Sequence, residues 1–149
     1  MAHWSERPSI VPAVYVILER DNKILLIRRA GTGYSDGCYT MPAGHLDENE
    51  APTAAAVRES MEEVGLTIEA QALELVHCMM YRALEGDHDR VSFFFRAHTF
   101  AGEPIIGEPN KCDELRWFAY DALPENMVWE ARHAFEQIER GNVYSERYE

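Results

Sequence analysis

GHLDENEAPTAAAVRESMEEVGL, residues 44–66, is the stretch that most constrains the fold. It opens with Gly44 at a turn and continues into a helix that is predicted to begin near Pro52, since proline is well tolerated at the first helical position. Alanines favour the helix, although Ala51 is a poor cap for it. Gly65 is expected to end the helix in a left-handed conformation. The stretch therefore predicts one helix with defined ends in the middle of the chain.

Three carboxylates of this helix, Glu59, Glu62 and Glu63, fall within about a quarter-turn at ~100° of twist per residue. Like charges on one helix face repel each other, and a bound hard cation such as magnesium, manganese or calcium would relieve the repulsion. An acidic helix face is also commonly just solvated surface, so the carboxylates alone leave both interpretations open. The helix is expected to pack through the apolar residues on its other side, Ala54, Val57, Met61 and Val64.

The length, composition and net charge limit the classes of protein to which the sequence can belong. With 149 residues, 46% of them hydrophobic and 27% charged, the chain is expected to form a single globular domain over residues 1–149. A formal net charge of −12 argues against a nucleic-acid polymer as partner. It does not argue against a small anionic substrate, because bound cations invert the local potential.

The cysteines and apolar runs predict the compartment. Cys38, Cys78 and Cys112 contain no C-x-x-C pair and no disulfide framework, which is typical of reduced thiols in a cytoplasmic protein. The first residues lack the pattern of a signal peptide, and the early apolar stretch 10–18 is too short to span a bilayer. We therefore expect a cytoplasmic protein without a membrane partner.

Short apolar or β-branched runs predict the strands. They cover residues 11–18, 24–27, 39–41, 73–82, 91–99 and 115–118. Asp21 and Asn22 predict the turn of a first hairpin, and the polar residues 86–89 predict the turn of a second. Residues 42–44 are expected to bend the chain into the helix.

The C-terminal part combines a second helix with a polar tail. Residues 127–140 show apolar side chains at helical spacing, which predicts an amphipathic helix packed on the sheet. The tail 141–149 is expected to be frayed or to lie on the surface. The alternation of strands and helices favours an α/β fold with a mixed sheet covered by helices on two faces.

The polar order of the central stretch carries a resemblance. It matches the pattern G-x5-E-x7-R-E-U-x-E-E-x-G-U, where U is a bulky aliphatic residue, at Gly44, Glu50, Arg58, Glu59, Glu62, Glu63, Gly65 and Leu66. This is the Nudix box, and the chain resembles the Nudix hydrolase family. Ser60 departs from the pattern, and it is expected on the flank of the apolar face, away from the carboxylates.

The resemblance implies a Nudix-type α/β/α sandwich with a mixed β-sheet. It also implies hydrolysis of a nucleoside diphosphate linked to another group, with Mg²⁺ or Mn²⁺. The implied catalytic residues are Glu59, Glu62 and Glu63, and the implied metal ligands are the same three side chains with the carbonyl of Ala43. Relatives often add a later acid, for which Glu108 and Glu114 are both candidates.

Further roles are predicted for residues in and around the box. Glu59 is also a candidate base towards the attacking water. Arg58 is expected to tie the loop to the helix by ion pairing, and Glu50 to support either that loop or an outer metal ion. Substrate contacts are predicted at Arg28, Tyr39, Gly44 and Lys111, with Tyr34 and Phe94 as further candidates.

The substrate is less constrained. The short chain resembles the MutT-like branch, which converts nucleoside triphosphates, in some cases oxidised ones, to a monophosphate and pyrophosphate. An ADP-ribose or nucleotide-sugar pyrophosphatase is the alternative, although the proline that often follows the box in ADP-ribose enzymes is absent. A catalytically silent nucleotide-binding regulator and a prenyl diphosphate isomerase are alternatives of other classes. A homodimer is expected only by analogy.

Overall fold

The computed structural model describes residues 3–83 and 87–148, and in these it shows an eight-stranded sheet and two α-helices. The strands are β1 (Val11–Arg20), β2 (Lys23–Arg29), β3 (Tyr39–Thr40), β4 (Ala43–His45), β5 (Glu74–Arg82), β6 (Arg90–Ala97), β7 (Cys112–Ala119) and β8 (Tyr144–Tyr148). The helices are α1 (Pro52–Val64) and α2 (Trp129–Glu139). Neither these helices nor any other helix of the described residues is long and apolar enough to cross a membrane.

The sheet is mixed, as predicted. Its strands follow the order β3-β2-β1-β6-β5-β8, while β4 pairs with β1 and β7 pairs with β2. The pairs β1–β6 and β5–β8 are parallel, and the other pairs are antiparallel. The two predicted hairpins are present as β1–β2 and β5–β6, although Gly86 of the second predicted turn lies outside the described residues.

Alternation along the central strand β1 assigns the two faces of the sheet, because successive side chains point to opposite sides. Val14, Val16 and Leu18 belong to a buried cluster that includes Ala55 of α1. Ile17 belongs to a second cluster that includes residues of α2. One helix thus covers each face, which confirms the α/β/α sandwich.

The ends of α1 and the first turn follow the sequence signals. Pro52 is at the start of α1, Ala51 makes no side-chain cap, and Gly65 ends the helix at a φ of 68° with its N–H bonded to the Met61 carbonyl at 3.0 Å. Asp21 and Asn22 both have positive φ, at 54° and 59°, as a tight two-residue hairpin turn requires.

The predicted packing face of α1 was wrong for Ala54 and Met61, whereas Val64 is buried as predicted. The buried residues of the helix are Ala55, Ala56, Glu59, Ser60 and Val64, whereas Ala54 and Met61 are exposed. Small side chains let the helix lie close to the sheet, and Ser60 joins them because its hydroxyl donates to the Ala56 carbonyl at 2.8 Å. Ser60 is therefore fully buried, and not on the flank as predicted. The inward face of α1 carries a glutamate as well.

The C-terminal tail forms the edge strand β8, so it is not frayed, and its side chains lie mostly on the surface as the other predicted alternative has it. β8 runs parallel to β5. Buried His77 holds it from the neighbouring strand, with Nδ1 at 2.8 Å from the Asn142 carbonyl and Nε2 at 2.7 Å from Ser145 Oγ. His133 of α2 reaches the same hydroxyl at 3.0 Å. These contacts join residues far apart in sequence, so the tail's own composition does not reveal them.

Ser145→Ala tests this anchoring. Losing one hydroxyl leaves two imidazole nitrogens without that partner, which should lower the free energy of unfolding by about 1–3 kcal/mol. Urea unfolding at pH 7.5 would measure the change, with Ser9→Ala on the exposed N-terminal segment as the matched control. Equal unfolding midpoints for both variants would contradict the anchoring role.

Candidate active site

Residues 43–45 form the short strand β4, so the predicted bend at 42–44 is confined to Pro42. The strand places the box glycine against α1. Gly44 pairs with Val14 of β1. A Cβ at position 44 would collide with the side chain of Glu59, so glycine leaves room for that carboxylate where it lies. On the adjacent residue, the Ala43 N–H donates to Glu63 Oε2 at 2.9 Å. Strand β4 thus lies directly against two of the predicted catalytic glutamates.

Arg58 links the loop before α1 to the helix. Its guanidinium makes a two-pronged contact with Glu50, with Nε and Nη2 each at 2.8 Å from a carboxylate oxygen. Nη2 also donates to the His45 carbonyl at 3.1 Å, while Nη1 reaches Glu59 at 2.8 Å and Glu62 at 3.3 Å. The hydrogen bonds from Arg58 lower the pKa of Glu50 to about 2. These contacts confirm the predicted structural roles of Arg58 and Glu50.

The negative charges of the glutamates on the inward side of α1 are only partly balanced by positive charges nearby. Burial raises the pKa of Glu63 to about 8, and the charges of Glu59 and Glu108 add to this. Burial also raises the pKa of Glu59, although its contact with Arg58 opposes the shift. Desolvated carboxylates that repel each other bind a cation favourably. The donor set therefore fits a hard divalent ion in its chemistry.

The carboxylates are not yet gathered around one point. Within residues 3–83 and 87–148, no three histidine, cysteine, aspartate or glutamate side chains already form a group that could hold a metal ion. Arg58 holds Glu59 and Glu62, while Glu63 is bonded to the Ala43 N–H. An ion at this site would have to compete with these contacts.

A cleft of about 540 Å³ lies beside these carboxylates and is lined by both acidic and basic side chains. Glu63 and Gly44 line one part of it, and Glu108, Lys111 and Arg29 line the rest. Lys111 Nζ is 3.2 Å from Glu108, and this contact raises the pKa of the lysine. The structure thus places the predicted residues Gly44, Glu63 and Lys111 in one cleft. A cleft with both signs of charge suits a phosphate chain held together with a cation.

Arg28 and Tyr39, the other two predicted substrate contacts, do not line this cleft. Arg28 Nε donates to Asp113 at 2.7 Å, and the buried Tyr39 donates its hydroxyl to Glu114. Both lie on the α2 side of the sheet, since Arg28 alternates with Ile27 of the α1-side cluster. Of the two adjacent arginines, Arg29 is the one in the cleft.

The same alternation distinguishes the two candidate later acids. Glu114 lies opposite Arg28 in the β2–β7 pairing and is 3.7 Å from its guanidinium, away from the box. Glu108 precedes β7 and lines the cleft with Glu63. The geometry thus favours Glu108. Phe94 is fully buried and stacks on Tyr15, so its role is in the core.

A family model described as the NUDIX domain matches residues 9–138. The chain belongs to the Nudix family. A MutT Nudix hydrolase from Burkholderia pseudomallei has a similar crystal structure, with a TM-score of 0.79 and 32% identity over 89% of this chain and 98% of that one. The chain is therefore a Nudix hydrolase. Hydrolases of this family generally use divalent metal ions.

Two curated relatives of the Nudix domain act on different compounds, to judge by their names. One is an ADP-ribose pyrophosphatase from Methanocaldococcus jannaschii, 35% identical over 76% of this chain and 66% of that protein. The other is an NAD-capped RNA hydrolase NudC from Stutzerimonas stutzeri, 30% identical over 78% of this chain and 39% of that protein. The matched region thus spans less than two thirds of each curated relative. These relatives establish a pyrophosphatase family but not one substrate.

Proposed function

We propose that this Nudix hydrolase cleaves a phosphoanhydride bond in a nucleoside triphosphate, giving a monophosphate and pyrophosphate, with Mg²⁺ or Mn²⁺ as its metal ion. The observation that carries the proposal is the cleft beside α1. There the box glutamate Glu63, the acid Glu108 and the basic residues Arg29 and Lys111 line one volume of about 540 Å³. Phosphoanhydride hydrolysis chiefly requires charge neutralisation and positioning, and this cleft supplies groups for both.

The proposed metal ligands are Glu59, Glu62 and Glu63 with the carbonyl of Ala43, and Glu108 is a candidate for a further one. All of these are oxygen donors, which suit Mg²⁺ and Mn²⁺. When bound, such an ion neutralises charge on the phosphate oxygens and polarises the phosphorus for attack. Release of the Arg58 contacts to Glu59 and Glu62 would free these carboxylates for it.

The chain's own residues divide the remaining work. Arg29 and Lys111 hold phosphate oxygens and so orient the substrate. Glu59 accepts a proton from the attacking water, and its elevated pKa brings it nearer to the neutral range in which a general base is most effective. Gly44 leaves room for this carboxylate beside the backbone.

A panel of nucleotides tests the proposal. Nucleoside triphosphates, oxidised nucleotides, ADP-ribose and nucleotide sugars would be incubated with Mg²⁺ or Mn²⁺, and the products identified by mass spectrometry in ¹⁸O-labelled water. Monophosphate plus pyrophosphate from a triphosphate is the expected result, and the labelled product shows which phosphorus is attacked. Preferred cleavage of ADP-ribose would favour the activity named for the Methanocaldococcus relative instead. Binding without any product would indicate a silent regulator.

Arg29→Ala and Arg28→Ala form a matched pair of variants. The loss of a charged phosphate contact should raise KM about 10- to 100-fold for Arg29→Ala. Arg28→Ala should leave KM nearly unchanged, because its partner is Asp113 on the other face of the sheet. Steady-state kinetics with the preferred nucleotide would measure both. A larger effect from Arg28→Ala would restore the assignment predicted from sequence.

A further inference from the structure

The loop between β2 and β3, residues 30–38, forms part of the wall of the cleft. Thr32 of this loop lines the cleft together with Arg29 at the end of β2. Hydrogen bonds close the base of the loop, since the Arg29 N–H donates to the Cys38 carbonyl at 2.9 Å and the Gly37 N–H donates to the Arg29 carbonyl at 2.7 Å. The loop thus begins and ends beside the backbone of a residue that we assign to phosphate binding.

Neutral groups of this loop fix the guanidinium of Arg29. Its Nε donates to the Tyr34 carbonyl at 2.7 Å, and its Nη2 donates to the Thr32 hydroxyl at 3.0 Å. The guanidinium also lies over the Tyr34 ring, 5.4 Å from its centroid. Among residues 3–83 and 87–148, no carboxylate forms an ion pair with Arg29 and its Nη1 makes no hydrogen bond. The side chain therefore keeps its positive charge and its Nη1 donors for an anion in the cleft.

Asp36 orders the segment that supplies these neutral acceptors. Its Oδ1 accepts from the Thr32 hydroxyl at 2.5 Å and from the Thr32 N–H at 3.1 Å, and its Oδ2 accepts from the Gly33 N–H at 3.0 Å. The Thr32 oxygen in turn accepts from Arg29 Nη2 and from the Tyr34 N–H. Because the hydroxyl proton goes to Asp36, both lone pairs of this oxygen are available as acceptors. Without the carboxylate, the proton would turn to the Tyr34 carbonyl 3.0 Å away, which is the acceptor that Arg29 uses.

The stability of the loop alone does not account for this arrangement. Gly33 and Asp36 are exposed, so water would satisfy their polar groups at little cost in free energy. What the carboxylate adds is the order of the Thr32 hydroxyl and the Tyr34 carbonyl, and both of these groups hold Arg29. A long side chain that is ordered before it binds a ligand no longer loses that conformational entropy in the binding step.

We propose that Asp36 is a positioning residue, which acts through Thr32 to hold the Arg29 guanidinium ready for a phosphate group in the cleft. A carboxylate in direct contact with Arg29 would compete with the phosphate for the same charge. Placed one hydrogen bond further away, Asp36 fixes the guanidinium while only neutral oxygens contact it. This inference rests on the proposed function, because it takes Arg29 to bind a phosphate oxygen.

The ordering of Arg29 is measurable without substrate or metal. Its Nε–H, bonded to a carbonyl, should give a side-chain ¹H–¹⁵N NMR signal that exchanges slowly with water, and Arg29→Lys identifies the signal by its absence. Asp36→Ala and Thr32→Val should each speed this exchange at least about fivefold, whereas Thr32→Ser, which keeps the hydroxyl, should not. Asp121→Ala, at an exposed position outside the cleft, is the matched control. Fast exchange in the unaltered protein, or an unchanged rate in Asp36→Ala, would overturn the inference.

A binding measurement tests the consequence for phosphate recognition. Methylenediphosphonate with Mg²⁺ is the probe, because it has the shape of a diphosphate but contains no anhydride bond to hydrolyse. Isothermal titration should show about 3- to 10-fold weaker binding to Asp36→Ala, and no further weakening when Asp36→Ala is added to Arg29→Ala. The simple loss of a negative charge near an anion predicts the opposite sign. Unchanged or tighter binding to Asp36→Ala, or equal weakening in both backgrounds, would overturn the inference.

Steady-state kinetics separates this inference from the proposed function. With a nucleotide that is hydrolysed, Asp36→Ala should raise KM about 3- to 10-fold and leave kcat nearly unchanged. Hydrolysis of a triphosphate with an unchanged KM in Asp36→Ala would overturn the role of Asp36 alone. Faster exchange of the Arg29 signal and weaker diphosphonate binding in Asp36→Ala, together with no hydrolysis of any nucleotide, would overturn the hydrolytic proposal alone.

Discussion

Glu63→Gln is expected to lower metal-dependent hydrolysis by at least about 100-fold while it stabilises the metal-free protein at pH 8. The loss of activity follows from the proposed ligand role, because a neutral amide binds a hard cation less well than a carboxylate. The gain in stability follows from the position of Glu63, which is desolvated and lies near Glu59 and Glu108. Replacing the Glu63 carboxylate by an amide therefore removes a proposed ligand of the ion and also removes the repulsion from Glu59 and Glu108.

The stability effect has a defined pH window. Burial raises the pKa of Glu63 from 4.5 to about 8, so the folded state holds a proton that the unfolded state releases. The contribution of this group is therefore fully present below about pH 4.5 and is lost as the pH rises through about 8. The slope is at most about 1.4 kcal/mol per pH unit. Gln does not titrate, so the advantage of the variant should appear at pH 8 and fade by pH 5.

Thermal unfolding in EDTA at pH 5, 6.5 and 8 would measure this difference, and product release with Mg²⁺ would measure activity. Glu48→Gln, at an exposed position of the loop before α1, is the matched control for the loss of one negative charge. Undiminished turnover in Glu63→Gln would remove that residue from the proposed metal site. A melting-temperature difference that stays constant with pH would show that its carboxyl group does not titrate as described.

The box was predictable because its information is contiguous in the sequence. Gly44, Arg58 and Glu63 sit at fixed spacings, and a short strand, an ion pair and one face of a helix translate those spacings directly into geometry. The orientation of α1 was not predictable in the same way. The helix buries Glu59 and Ser60, and a rule that places polar residues outside assigns both to the wrong side.

Arg28 and Arg29 show that strand alternation also carries information about the site. Ile27 faces α1, so alternation along β2 directs Arg29, and not Arg28, to the box side. By contrast, no local pattern marks Ser145. Its partners His77 of β5 and His133 of α2 are both more than ten residues away. Contacts of that kind depend on how the elements pack, and a single sequence does not encode them in its spacing.

Arg58→Ala is expected to lower both the stability of the fold and the activity of the site. The side chain is only 25% exposed, and its main partner Glu50 is 14% exposed. Removing one partner of a buried ion pair costs about 3–5 kcal/mol, and partial exposure reduces this to about 2 kcal/mol. For a domain of this size that corresponds to a fall in melting temperature of about 4–8 °C. The His45 carbonyl also loses its donor, so β4 and the Ala43 carbonyl should shift away from the glutamates.

Arg58→Lys separates charge from geometry. A lysine keeps the positive charge but cannot make the two-pronged contact with Glu50 while it also reaches the His45 carbonyl. We therefore expect an intermediate melting temperature and an activity closer to that of Arg58→Ala. Arg28→Lys is the control, because its Asp113 and Glu114 partners lie away from the box, and it should change neither property appreciably. Wild-type activity in Arg58→Lys would mean that only the charge at this position matters.

A double variant shows whether Arg58 acts through Glu50. In Glu50→Gln the guanidinium still contacts Glu59 and Glu62, and it is free to bind them more strongly, in competition with the proposed metal ion. Adding Arg58→Ala removes that competitor as well as the loop anchor. The combined loss of melting temperature should therefore be smaller than the sum of the two single losses, and Glu50→Gln alone should raise the Mg²⁺ concentration needed for half-maximal activity. Strictly additive losses, with an unchanged Mg²⁺ requirement, would show that Glu50 does not tune the contact of Arg58 with the site.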